Sequence, residues 1–430
     1  MIWDKENECM NREELSQVQL ERLQSTIHRV YRNVPFYRKV FDKHGIDPDS
    51  FSSLEDITKI PFTTKDDLRE NYPYGLFAVP LREVVRIHTS SGTTGMPIVV
   101  GYTKNDLKIW TELVARILTA GGITKDDVIQ IAFNYGLFTG AFGFHYGAEK
   151  IGASVIPVSI ENPKKQIKIL QDYKTTAIIS TPSYALLIAN TIIEMDINPN
   201  SLLLKFGLLG AEPWSEQMRK EIEEKLKITA TDNYGLSEVM GPGVAGECLE
   251  KNGLHINEDH FFFEIIDPHT LEPVKEGERG ELVITTLTKE AFPVLRFRTG
   301  DLTRFLPGEC HCGRTFRRID RILGRTDDMI IIRGTKIFPS QIEAILYEIE
   351  KKQQSYQILL ERQSGMDQMT ILLEMSEDIF SDVMKEQHQL INHIKDRLSY
   401  EFGFSVNVKL AEKRSLERVG EKIKRIVDKR

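Results

Sequence analysis

From Val84 onward, β-prone apolar runs alternate with amphipathic ones: Val84 to Ile87, Asp106 to Leu118, Val128 to Ala132, Ser154 to Val158, Lys164 to Asp172 and Ala177 to Ser180. Short runs of branched apolar residues suit buried strands, and apolar spacings of three and four suit helices. Parallel neighbours in a sheet need a crossover, usually a helix, so this alternation predicts an α/β fold built on mainly parallel sheets. Ahead of it, Leu15, Val18, Leu23, Ile27 and Val30 recur at helical spacing until Asn33-Val34-Pro35 ends the run. Between about residues 253 and 320 short strands and tight turns replace the alternation, as in Phe261 to Ile266 and Leu282 to Thr286, and predict a β-rich subdomain within a large amino-terminal domain, 1–326. Residues 327–430 then read as a small α+β carboxyl-terminal domain: strand Met329 to Ile332, helix Ser340 to Ile349, strands Ser355 to Leu360 and Met369 to Glu374, helix Asp378 to Glu401, and strand Val406 to Leu410.

Composition narrows the function. The 430 residues carry 56 basic and 63 acidic side chains, a net charge of −7, with 41% apolar and 28% charged residues. That balance argues against disorder and advertises neither nucleic acid nor an anionic membrane as partner. The start, Met1-Ile2-Trp3-Asp4-Lys5-Glu6-Asn7-Glu8, lacks the basic and apolar regions of a secretory signal, and no run of eighteen apolar residues occurs, so a cytoplasmic protein without membrane spans is expected. Locally the balance reverses: residues 411–430 hold eight basic and four acidic residues, net +4.

The sharpest local signal is His88-Thr89-Ser90-Ser91-Gly92-Thr93-Thr94-Gly95-Met96-Pro97. Glycines let backbone amides approach an anion and the hydroxyls add donors, yet the spacing is not that of a Walker loop. Alone it also reads as a Gly/Ser/Thr turn between strands. Downstream, in order, come Gly210-Ala211-Glu212-Pro213-Trp214, Asp232-Asn233-Tyr234-Gly235-Leu236-Ser237-Glu238, Arg298-Thr299-Gly300-Asp301 and Gly324-Arg325-Thr326-Asp327-Asp328, and near the end Gly420-Glu421-Lys422. Taken singly, Glu238 is also a helix-start carboxylate after Ser237, and Arg298 to Asp301 a β-turn. As a series, beginning with Tyr31-Arg32-Asn33-Val34-Pro35-Phe36-Tyr37, they resemble the adenylate-forming superfamily and within it the phenylacetate-CoA ligase family, over essentially the whole chain.

The resemblance implies an AMP-forming ligase that joins an aryl or arylacetic acid to ATP as an acyl-adenylate and then passes the acyl group to coenzyme A. A carboxylate approaching an anionic phosphate needs cations and donors where charge develops. By resemblance, Ser90, Ser91, Gly92, Thr93, Thr94 and Gly95 hold phosphates and Glu238 binds Mg²⁺. Tyr234 stacks on adenine, with Asp232 beside the base, and Asp301 holds the ribose hydroxyls. Ala211, Glu212, Pro213, Gly235 and Ser237 complete the nucleotide site. Lys422 is the catalytic lysine of adenylation and Arg325 meets the adenylate. Asp327 is the hinge about which the small domain turns, bringing Arg333 and Gly334 to the site for thioester formation. Met96 departs from the family, whose loop commonly has lysine there. Tyr135, with Phe138 and Ala211, is the implied wall of the acid pocket, in a stretch from Phe133 to Gly147 rich in aromatics and glycine. Homodimerisation is implied as well. Relatives such as coenzyme F390 synthetases use another acceptor, and a non-catalytic homologue is the alternative outside enzymes.

Four cysteines in a chain of this kind do not make a disulfide framework. Cys310 and Cys312 flank His311, and Cys248 lies seven residues before His255. Three thiols and an imidazole form the donor set of a structural zinc site, with His260 and His311 as alternative ligands. Separate buried cysteines are the other reading, and Cys9 stands apart.

Overall fold

A computed structural model describes residues 1–90, 97–326, 330–332, 335–337, 339–350, 354–363, 366–374, 384–412, 415–419 and 422–430. The chain divides into two units, Met1–Ile322 and Leu323–Arg430. Among the described residues no helix is long and apolar enough to cross a membrane.

The first unit opens with α1 (Lys5–Glu8), α2 (Arg12–Asn33), α3 (Pro35–His44) and α4 (Lys65–Glu70). The helical run ends where the sequence suggested, with α2 stopping at Asn33, and Pro35 then opens α3 as its first residue, where its missing N–H costs nothing. Strands β1 (Arg86–Thr89) and β2 (Val99–Tyr102) form an antiparallel pair, followed by α5 (Lys104–Ala120). Thr103 and Asp106 make a reciprocal capping box that fixes the start of α5. Then come β3 (Val128–Ile131), α6 (Gly140–Ile151), β4 (Ser154–Ile156), α7 (Pro163–Asp172), β5 (Ala177–Ser180), α8 (Pro182–Glu194), β6 (Phe206–Gly210), α9 (Glu216–Leu226) and β7 (Thr229–Leu236). The expected alternation is therefore realised, and β4, β3, β5, β6 and β7 lie side by side, all parallel.

Sequence order does not reveal how that sheet continues. β8 (Gly241–Glu247), β9 (Leu254–Ile256), β14 (Arg318–Ile319) and β13 (Phe305–Leu306) extend it antiparallel beyond β7, giving nine strands. Only β10 (Phe261–Ile266), β11 (Gly280–Thr286) and β12 (Phe297–Thr303) of the β-rich region pair with one another in a separate sheet. The region from 253 to 320 is thus divided between two sheets.

Helix α6 packs unusually close to α5. A Cβ on Gly143 would fall 2.7 Å from the Trp110 ring, and one on Gly147 2.5 Å from Val114. These glycines, one turn apart, leave room for the backbone of α6 against the side chains of α5. Trp110 in turn stacks on Tyr102 and donates to the Pro242 carbonyl at 2.7 Å, joining α5, β2 and β8 in the main core.

The second unit is built around strands Asn407–Ala411, Met366–Glu374, Tyr356–Gln363 and Ile426–Asp428, in that spatial order. The central pair is antiparallel and both outer pairs parallel. Helices α10 (Pro339–Glu350) and α11 (Met384–Phe402) share its apolar core through Ile342, Leu346, Ile394 and Leu398, with Ile358 and Ile371 from the sheet. Two short antiparallel pairs complete it, Ile330–Ile332 with Thr335–Ile337 and Arg418–Val419 with Lys422–Ile423.

Candidate functional site

The loops leaving the parallel strands at their carboxyl ends carry seven of the candidate residues. Tyr135 and Phe138 follow β3, Ala211, Glu212 and Pro213 follow β6, and Ser237 and Glu238 follow β7. In open α/β sheets ligands bind in the crevice outside these ends. Thr139 Oγ1 and Ser237 Oγ, 3.1 Å apart, join the loop after β3 to the loop after β7.

Two bulges aim the central pair of side chains. Strand β7 shifts register against β8 between Tyr234 and Gly235, and β12 shifts against β11 over Thr299 to Asp301. Bulges bend a strand and redirect its side chains. At the first, a Cβ on Gly235 would lie 1.9 Å from the Gly241 carbonyl oxygen, so only glycine fits. At the second, Gly300 adopts φ 78°, which favours glycine. The result is a hydrogen bond between the two sheets: Tyr234 Oη donates to Asp301 Oδ2 at 2.6 Å, both residues buried. Arg298 to Asp301 is therefore strand rather than the alternative β-turn, and Arg298 is held by Glu281 at 2.6 Å. Glu238 likewise starts no helix. It is buried in the turn between β7 and β8.

Asp232 lies two residues before Tyr234 on β7, hence on the same face. Its backbone N–H donates to Glu247 Oε2 at 2.7 Å, and Glu247 forms a buried ion pair with Arg219 at 2.8 Å. Burial, then the charge of Glu247, push the Asp232 carboxyl up to about 8, so it is neutral at pH 7 and able to donate as well as accept.

At the base of the Gly/Ser/Thr loop, Ser90 is a brace. Its N–H donates to the Ile98 carbonyl at 2.9 Å, and its Oγ accepts from Ile98 N–H at 3.0 Å. Glu212 Oε1 accepts from Ser183 N–H at 2.6 Å, placing its carboxylate at the N-terminus of α8. Ala211 takes the left-handed conformation, φ 68°.

Sequence reasoning missed Lys289. Its ammonium is buried 3.4 Å from the centroid of the Tyr102 ring and 3.8 Å from Met240 Sδ, while Tyr102 O–H donates to the Met240 carbonyl at 2.9 Å. Both residues thus support the end of the turn that carries Glu238. Burial, opposed by Asp106, draws the Lys289 ammonium down to about 7. No spacing in the sequence marks this residue. His145 was likewise unassigned, although it was the one histidine in the aromatic stretch.

Ser91, Gly92, Thr93, Thr94, Gly95, Met96, Asp327, Arg333 and Gly334 lie outside the described residues, as does the side chain of Lys422. Arg325 belongs to the second unit, in the short strand Gly324–Arg325.

Cys248, His255, Cys310 and Cys312 do converge, with ligand atoms all within 4.8 Å of one another. Cys248 Sγ is 3.7 Å from Cys310 Sγ, and Cys312 Sγ is 3.4 Å from His255 Nε2. Around tetrahedral zinc, bond lengths of about 2.3 Å to sulfur and about 2.0 Å to imidazole place sulfurs about 3.8 Å apart and sulfur and nitrogen about 3.5 Å apart. The donor set and its two measured edges fit such an ion. Of the alternative ligands, His260 is held instead by Thr288 at 2.8 Å and Asp259 at 3.2 Å, and His311 is exposed and outside the cluster. Arg314, just beyond Cys312, makes a buried ion pair with Glu8 at 2.5 Å that anchors this loop to α1.

Residues 42–288 match the AMP-binding enzyme family, and residues 334–430 match the AMP-binding enzyme C-terminal domain. The chain is 46% identical to a phenylacetate-coenzyme A ligase of Thermus thermophilus, covering 100% of both chains. It is 48% identical to a phenylacetate-coenzyme A ligase of Escherichia coli, covering 97% of this chain and 95% of the relative. Among solved structures it resembles 2-hydroxyisobutyryl-CoA ligase in the postadenylation state in complex with 2-HIB-AMP, with a TM-score of 0.89, 29% identity, and coverage of 99% of this chain and 92% of that one.

The Asp232 carboxyl yields a prediction with a definite sign. Its folded pKa of about 8 lies above the ordinary carboxyl value of 3.8. The folded chain therefore holds a proton that the unfolded chain releases, and the associated stability is present at low pH and lost as pH rises toward 8. Relative to wild type, Asp232→Asn should gain stability with pH from 5 to 8, by up to about 1.4 kcal/mol per pH unit. Urea unfolding of both proteins across that range reads the difference, and a constant offset would contradict a neutral Asp232.

Proposed function

The chain belongs to the phenylacetate-coenzyme A ligase family of AMP-binding enzymes and is an AMP-forming acid–thiol ligase, and on that premise we propose that its acid is phenylacetate or a close aryl relative. Such a ligase activates the acid with ATP to an acyl-adenylate and transfers the acyl group to coenzyme A. The observation that carries the residue-level reading is the meeting of Tyr234 and Asp301 through a 2.6 Å hydrogen bond. It supports one aromatic face for adenine beside one carboxylate for the ribose hydroxyls.

In this reading the neutral Asp232 lies on the adenine side, and Ser90 closes the loop whose residues to Gly95 receive the phosphates. Glu238 holds Mg²⁺, which would neutralise phosphate charge. Lys422 neutralises the charge developing between the acid and the α-phosphate, and removing such a contact typically costs about 10²–10³ in rate. Arg325 meets the adenylate, Asp327 is the hinge, and turning of the small unit brings Arg333 and Gly334 forward for thioester formation. Tyr135, Phe138 and Ala211 line the acid pocket. The remaining expectations are cytoplasmic operation, where ATP and coenzyme A are available, and a homodimer, the latter resting on family resemblance alone. Cys248, His255, Cys310 and Cys312 hold a structural zinc ion, supported by the donor distances above.

Two measurements bear on these proposals. In pyrophosphate exchange across a panel of aryl acids, phenylacetate should be among the best, and Lys422→Ala should lower exchange by about 10²–10³ while sparing thiolysis of supplied phenylacetyl-adenylate. Equal loss in both half-reactions would remove Lys422 from adenylation, and exchange with benzoate alone would move the substrate. Metal analysis of the purified chain should find one zinc per chain, falling below half in Cys248→Ser with a lower melting temperature. Wild-type protein without zinc and with unaltered melting would refute the metal centre.

A further inference from the structure

Helix α6 presents Phe142, His145 and Glu149 at spacings of three and four, a row along one face. Both ring nitrogens of His145 are engaged. Nδ1 lies 3.1 Å from Tyr135 Oη, and Nε2 lies 3.2 Å from Glu149 Oε1. Tyr135 also meets Phe142 edge-on, with ring centroids 5.3 Å apart and planes at 83°. It meets the His145 ring at 5.8 Å and 88°.

These contacts matter because of where Tyr135 sits. It belongs to the irregular segment between β3 and α6, where Asn134, Gly136, Leu137 and Phe138 are all exposed. No sheet register fixes its ring, so the row on α6 does. The direction of the hydrogen bonds follows from chemistry. The Glu149 carboxylate only accepts, so Nε2 carries the imidazole proton and donates it. Nδ1 is then an acceptor, and the phenol O–H, whose pKa burial raises, donates to it. One tautomer and one hydroxyl direction satisfy the whole chain.

We propose that His145 is a positioning residue of this ligase: by accepting the Tyr135 hydroxyl and being oriented by Glu149, it holds a loop-borne wall of the acid pocket in place and so contributes to selection of the acid. This rests on the reading of Tyr135 as a pocket wall and extends it to two residues that have no role in nucleotide binding or in the metal centre.

The test is steady-state kinetics with phenylacetate, ATP and coenzyme A on folded variants matched by melting temperature. His145→Phe keeps ring volume and removes both hydrogen bonds. It should raise KM for the acid by about 3- to 10-fold, the scale of one lost neutral hydrogen bond, with kcat within about twofold and KM for ATP unchanged. Tyr135→Phe should match it, and the double variant should be no worse than either single one, because both remove the same bond. His145→Gln, whose amide oxygen accepts, should recover part of the loss. An unchanged acid KM in His145→Phe, alongside a raised one in Tyr135→Ala, would overturn the role of His145 alone. Additive effects in the double variant would do the same. An unchanged acid KM in Tyr135→Ala would overturn both the pocket-wall reading and the proposal.

Discussion

The hydrogen bond from Tyr234 Oη to Asp301 Oδ2 joins β7, the last parallel strand of the nine-stranded sheet, to β12 of the separate sheet, and the candidate nucleotide site is organised around it. Neither partner would face the other on a regular strand. A bulge after Tyr234 and another over Thr299 to Asp301 bring them together, each relying on a glycine where a side chain would clash or strain the backbone. Short, buried and directed at a carboxylate, this is the stronger sort of protein hydrogen bond.

Behind that pair the polar groups are arranged so that few charges face one another unneutralised. Glu247 is matched by Arg219, and Asp232, next to both, is kept neutral by burial and by the charge of Glu247. Lys289 lies against an aromatic face and a thioether rather than a carboxylate, and burial lowers its proton affinity accordingly. Truncating one partner of such a buried pair typically costs about 3–5 kcal/mol, so these groups constrain the fold around the site as much as they stabilise it.

Much of this was legible in the sequence because it is local. Periods of 2 and 3.6 disclosed the alternation from Val84 onward, and ordered motifs disclosed the family. The continuation of the parallel sheet into β8, β9, β14 and β13 was not legible, since its β9–β14 step joins segments more than sixty residues apart, His255 opposite Arg318. The stop at Asn33-Val34-Pro35 was legible, and proline serves equally well as the first residue of the helix that follows. Cys248, His255, Cys310 and Cys312 were legible as one donor set from their residue types, and the pairing of β9 with β14 is what brings its two halves together. Lys289 and His145 act through neighbours distant in sequence or on another element, and no spacing rule identifies such contacts.

The central claim is that Asp301, held by Tyr234, receives the ribose of the nucleotide. Calorimetric binding of AMP to Asp301→Asn tests it most directly, because the substitution keeps the shape and removes the charge. Loss of one hydrogen bond to a charged group, about 1.5–3 kcal/mol, predicts AMP affinity weaker by about 10- to 150-fold in a protein that still melts cooperatively. Unchanged AMP affinity in that folded variant would contradict the account.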